Sequence, residues 1–227
     1  MTQTWPRGVR LGLAAALTTV VTIDVLAGGP LRSLDHAVLR FTRHDVQGGW
    51  KQAADVVRLL GQRWVLVQFL VPLAVIAGVR SRSLRPPVVT ALIVIGLSEL
   101  EVLAKSIIPR TFPHTGRDVL YTGGHAYPSG HTLNGFLLVW TALELVVIAF
   151  PVLVTSAARL TAHRRLVIAQ VSGVVTGIAL TLAGVHWLTD VLASLGLGVI
   201  LLALVSSADP FRTRAAVRVT RVPSRAG

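Results

Sequence analysis

Apolar runs of about 20 residues recur along this chain, and no other feature of it restricts the fold so strongly. A helix of that length crosses the hydrocarbon core of a bilayer, where only helices and closed barrels satisfy every backbone polar group. Six spans are expected, at about 9–28, 64–79, 87–108, 132–154, 166–185 and 188–206. The fold class that follows is all-α, a polytopic membrane protein with six transmembrane helices in a bundle. Between the first two spans, the segment from Leu31 to Arg63 interleaves Leu34, Val38, Leu39, Phe41, Val56 and Leu60 with charges. It reads as an amphipathic interfacial helical segment of one or two helices. Residues 1–210 are expected to form a single membrane-embedded domain, followed by a basic and flexible tail over 211–227.

Charge sets the expected orientation. The 227 residues carry a formal charge of +12, which in a soluble chain would suggest nucleic acid. Here 52% of the residues are hydrophobic and the basic ones cluster between apolar runs, so they read as topology signals and no nucleic-acid partner is expected. Arg7 and Arg10, Arg80 with Arg82 and Arg85, Arg159 with Arg164 and Arg165, and the tail arginines fall on one side of a six-span bundle. The positive-inside rule then puts both termini in the cytoplasm and the segments around Lys105–Ser129 and His186 on the outer side. Arg7 and Arg10 ahead of an apolar run imitate a signal peptide, but the run is long enough to span and is expected to stay as a first helix. Cysteine is absent, which excludes disulfides, thiolate nucleophiles and cysteine metal sites.

Three polar stations stand at span ends on that outer side: Lys105 with Arg110 and Pro113, then Tyr127-Pro128-Ser129-Gly130-His131-Thr132, then His186-Trp187-Leu188-Thr189-Asp190. In the middle station Pro128 suits the first turn of a helix, so the fourth span is expected to begin at Pro128-Ser129. The N–H groups of Ser129, Gly130 and His131 would then lie open at a helix N-terminus, where the dipole favours an anion and Gly130 permits close approach. In the last station His186 and Asp190 share a helical face, and a carboxylate on one imidazole nitrogen leaves the other available as a nucleophile. Taken singly, each feature also fits an ordinary helix start or an interfacial histidine.

Together, Lys105, the Pro128-Ser129-Gly130-His131 run, and His186 with Asp190 closely resemble the type 2 phosphatidic acid phosphatase superfamily. That resemblance implies a metal-independent phosphatase without cofactors, acting on a lipid phosphate such as a polyprenyl diphosphate, phosphatidylglycerol phosphate or phosphatidic acid. It also implies that His186 attacks phosphorus to form a phosphohistidine, that Asp190 orients it, and that His131 protonates the leaving oxygen. Lys105, Ser129 and Gly130 would hold the phosphoryl oxygens. Two arginines of the family pattern are missing: Phe112 stands where the first motif has one, and Ala179-Leu180 stand where the third motif has Ser-Arg. Arg110, two residues before Phe112, is expected to compensate as a phosphate ligand, whereas Arg117 reads as a headgroup anchor. Alternatives from other classes are a non-catalytic lipid-phosphate binder and a phosphoryl or headgroup transferase.

Other polar residues carry weaker expectations. His114 and His125 match no standard metal pattern. Glu99, Glu101 and Glu144, inside spans, are expected to face protein or water, with Glu101 pairing to Lys105 one turn on. Asp24 suggests no role, and oligomeric state is not legible.

Overall fold

The protein is described here by a computed structural model covering residues 6–151 and 160–211. Six of its helices are long and apolar enough to cross a membrane. In chain order these are α1 (Arg7–Ala27), α4 (Arg63–Ser81), α5 (Arg85–Ile107), α6 (Gly130–Ala149), α7 (Ala162–Leu182) and α8 (Leu188–Ser207). Two shorter helices, α2 (Pro30–His44) and α3 (Gly49–Val57), fill the interfacial segment, and a 3-10 turn at Arg58–Gly61 leads into α4. No strand occurs among the described residues, only an isolated bridge between Arg110 and Leu120.

Helix α6 is the axis of the bundle and packs against α4, α5, α7 and α8, while α1 packs on α8. Lipid tails are as apolar as leucine, so span association depends on close packing, and small residues admit it. A Cβ on Gly135 would stand 3.0 Å from the Gly173 backbone, so α6 and α7 meet backbone to backbone. The central cluster joins Leu133, Phe136, Leu137 and Trp140 of α6 to Leu70 of α4 and Leu202 of α8.

Element ends differ from expectation where capping decides them. The fourth span begins at Gly130, because Ser129 is its N-cap and accepts from the N–H of Thr132 (3.4 Å), which leaves Pro128 outside the helix. It ends at Ala149 with Phe150 as its C-cap, short of the expected end at 154, and residues 152–154 lie outside the described residues. The fifth begins at Ala162, where the Thr161 hydroxyl caps the N–H of Arg164 (3.2 Å). Arg159 and the basic tail from residue 212 also lie outside the described residues.

Charges inside the spans have specific fates. Glu144 pairs with Arg165 (2.7 Å) and ties α6 to α7. Glu99, expected to face protein or water, is exposed on the outside of α5. Asp24 accepts from the N–H groups of Leu31 and Arg32 (3.2 Å each), so it caps the start of α2. On α2, Leu34 and Phe41 are exposed while Asp35 is buried, which turns a carboxylate into the protein.

Candidate active site

The N-termini of α6 and α8, the C-terminal turn of α5, the interfacial helices and the 108–129 loop all gather at one end of the bundle. His186 stands in the short connection between α7 and α8, and its Nδ1 lies 3.3 Å from Asp190 Oδ2. The His131 and His186 rings face each other with centroids 6.1 Å apart, edge to face. The two histidines from different stations therefore flank one small volume, with His186 only 6% exposed.

Asp190 is held from several sides. Its Oδ2 accepts from the N–H of Trp187 (3.2 Å) at the start of α8. Its Oδ1 accepts from Arg110 (2.8 Å). Arg110, expected as a phosphate ligand, is placed against carboxylates. Its guanidinium is 0% exposed and donates to Asp118 through Nε (2.7 Å) and Nη2 (2.8 Å), to Asp35 (2.7 Å), to Thr189 (2.6 Å) and to Asp190. A guanidinium has five N–H donors, and all are engaged, so Arg110 has none left for a phosphate. It stands behind the His186–Asp190 pair, bonded to Asp190.

The cluster draws on segments far apart in sequence. Asp35 of α2 also accepts from the N–H (2.8 Å) and hydroxyl (2.5 Å) of Thr189, which fastens the interfacial helix to α8. Arg32 donates to Asp118 (2.7 Å). Burial pushes the Asp35 carboxyl above its ordinary range, more than its bonds to Thr189 and Arg110 pull it down. Burial acts upward on Asp118 too, but hydrogen bonds and charge from Arg110 and Arg32 outweigh it and hold that carboxyl low. Burial alone would lower Arg110, and its ring of carboxylates instead raises it.

The Ser129–His131 cradle is narrower than expected. Ser129 N–H is committed to the Asp190 carbonyl (3.3 Å), and the fully buried Ser129 hydroxyl also accepts from Thr132 Oγ1 (3.1 Å). The N–H groups of Gly130 and His131, at the start of α6, have no hydrogen-bond partner among the described residues. A Cβ on Gly130 would sit 2.1 Å from the Glu101 carboxylate, so only glycine fits there without displacing it. Glu101 pairs with Lys105 (3.6 Å), as expected, and also with Arg63.

Arg63, together with Gln62, is what sequence reasoning overlooked. Both open α4, and they line a cavity of about 450 Å³ with Glu101, Lys105, Gly130 and His131. Gly61 brings them there: a Cβ on it would meet the His131 carbonyl oxygen at 2.2 Å, so the turn presses directly on the first residues of α6. Asn134 fastens it by donating to the Gly61 carbonyl (2.9 Å). Gln62 Oε1 contacts His131 Nε2, and Arg63 Nε is buried without a partner among the described residues. The only available signal was a pair of polar residues opening an apolar run, which any headgroup anchor imitates.

The places of the missing family arginines carry no cation. Phe112 packs its ring on His186 (5.6 Å between centroids) and forms a wall, while Ala179 and Leu180 are buried in α7. Arg117, His114 and His125 are exposed on the loop, and among the described residues no group of three potential ligands converges on a metal position. The cations whose charge reaches His131 are Lys105, Arg58 and Arg63.

Comparison with known proteins places this arrangement. The model of the PAP2 superfamily matches residues 83–214, more than half of the chain. The chain is 34% identical over 146 residues to phosphatidylglycerophosphatase B of Bacillus subtilis (strain 168), covering 62% of this chain and 68% of that protein. The crystal structure of a transmembrane PAP2-type phosphatidylglycerolphosphate phosphatase from Bacillus subtilis aligns with a TM-score of 0.68, over 88% of this chain and 98% of that one. At 23% identity, that second likeness is one of fold.

Proposed function

Because the chain belongs to the PAP2 superfamily, we propose that it hydrolyses a phosphomonoester or diphosphate of a membrane amphiphile, without a metal, through a phosphohistidine on His186. The observation that carries this reading is the facing His131–His186 pair with Asp190 on the Nδ1 side of His186. Asp190 fixes the tautomer and leaves Nε2 as the nucleophile. Attack forms a P–N bond while the P–O bond to the lipid breaks, and the leaving oxygen takes its electron pair and a proton from His131. Water then attacks phosphorus, His131 accepts the water proton, and cleavage of the P–N bond returns the imidazole and releases inorganic phosphate.

Lys105, Arg63 and the open N–H groups of Gly130 and His131 are the proposed donors to the phosphoryl oxygens, with the Ser129 hydroxyl beside them. We place both termini in the cytoplasm, the histidines on the outer face, and the whole of residues 1–210 in one domain with a basic tail beyond it. Phosphatidylglycerol phosphate is the first substrate to test, given the activity for which the curated relative is named. Purified protein in EDTA is expected to release phosphate from it, and from polyprenyl diphosphate or phosphatidic acid to differing extents. Absence of turnover on the whole panel, with lipid phosphate still bound, would favour a binding protein.

Arg63 gives a sharper test. A charge-assisted contact to phosphate is worth about 1.5–3 kcal/mol, so Arg63→Ala is expected to lower kcat/KM by roughly ten- to a hundredfold. Arg63→Lys should recover part of this. Wild-type kinetics in Arg63→Ala would mean that the missing family arginines have no substitute at this position.

A further inference from the structure

At the end of the bundle away from the histidines, a crevice runs between α1 and α7, floored by α6 and α8. Its outer part is a cavity of about 560 Å³ bordered by Arg7, Arg10, Arg165 and Gln170, with Glu144 and Asp209 as its acids. It continues along the bundle as a groove of about 430 Å³ walled by Leu13, Leu17, Phe136, Val174 and Leu195. Arg10, Gln170 and Val199 border both, so the charged cavity and the apolar groove form one continuous depression.

The charges there are not equivalent. Arg165 is committed to Glu144 (2.7 Å) and to the Leu160 carbonyl (2.6 Å). Arg7 donates to the Ala203 carbonyl (3.1 Å) and to Ser207, so it serves the open end of α8. The Arg10 side chain has no partner among the described residues and stands where cavity and groove join. A ligand suited to this shape is an anion at one end and a hydrocarbon at the other. Basic pockets between spans favour acidic headgroups, and a groove open to the lipid phase accepts an acyl chain without dehydrating a polar surface.

We propose that this crevice is a binding site for one anionic phospholipid, with its phosphodiester against Arg10 and Arg7 and one acyl chain along the groove, separate from the catalytic centre. The ligand is a diester, so it is not a substrate for a phosphomonoesterase. Retention of the lipid tests the proposal. Detergent-purified protein is titrated with phosphatidylglycerol, phosphatidylcholine or inorganic phosphate, and bound ligand is counted by native mass spectrometry. One phosphatidylglycerol is expected per chain in preference to phosphatidylcholine, unchanged in His186→Ala. Arg10→Gln, an exposed position with no bond to lose, should reduce that preference about fivefold, and Arg10→Lys should restore it. Val199→Phe, which narrows the groove, should weaken lipid binding without restoring phosphatidylcholine. Equal retention of the two lipids, an unchanged preference in Arg10→Gln, or occupancy by inorganic phosphate that excludes the lipid would each overturn the proposal.

Discussion

Replacing His186 by alanine is expected to lower phosphate release from every lipid phosphate by roughly four to six powers of ten, as removal of a covalent nucleophile does elsewhere. The protein around the cavity should survive the change. Asp190 would lose its contact to Nδ1 but keep Arg110 at 2.8 Å and the Trp187 N–H at 3.2 Å. Trp187 would keep its own bond to the Thr111 carbonyl at 2.7 Å. A folded, monodisperse and inactive His186→Ala is therefore the expected result in a phosphate-release assay with EDTA. Turnover within tenfold of wild type would exclude a histidine nucleophile at this position. His131→Ala should still react once with a substrate whose leaving group needs no proton, because it removes the acid and not the nucleophile.

The second large effect is on folding. Arg110→Ala is expected to cost at least about 3–5 kcal/mol, the range seen when one partner of a buried ion pair is removed. Here the loss leaves Asp35, Asp118 and Asp190 facing one another in a space where Arg110 itself is 0% exposed. Thermal unfolding in detergent should show a large fall in midpoint, with little folded protein recovered. Arg110→Lys should be intermediate, since an ammonium cannot reproduce the forked bonds to Asp118. Adding Asp35→Asn and Asp118→Asn to Arg110→Ala should return stability without returning full activity, because Asp190 would still lack its anchor. A phosphate-ligand role predicts the opposite pattern, an intact fold with a raised KM, and that outcome would overturn the assignment made here.

Arg110 also shows where sequence reasoning stops. Six runs of apolar residues were legible because a bilayer demands them, and their ends slipped by a few residues where capping by Ser129 and Thr161 decided. The His186–Asp190 pair was legible because a spacing of four is local to one chain segment, although His186 itself sits just before α8. Arg110 lies near the Lys105 station and carries the right charge for a clamp, but burial and partner choice are tertiary facts. Its partner Asp35 comes from an interfacial helix 75 residues away. Arg63, 38 residues from Glu101, resembles every other cation at a span end until Gly61 is seen pressed on His131. The absent arginines at the Phe112 and Ala179-Leu180 positions were visible in the sequence; the approach of Arg63 from another helix to the Lys105 and His131 cavity was not.

The most direct test is a structure of the protein with vanadate, which adopts the five-coordinate geometry of phosphoryl transfer. The metal oxyanion should be bonded to His186 Nε2, with His131 facing the opposite apical oxygen and Arg63, Lys105 and the Gly130 and His131 N–H groups on the equatorial ones. Vanadate bound away from His186, or bridged to it only through Arg110, would contradict the account.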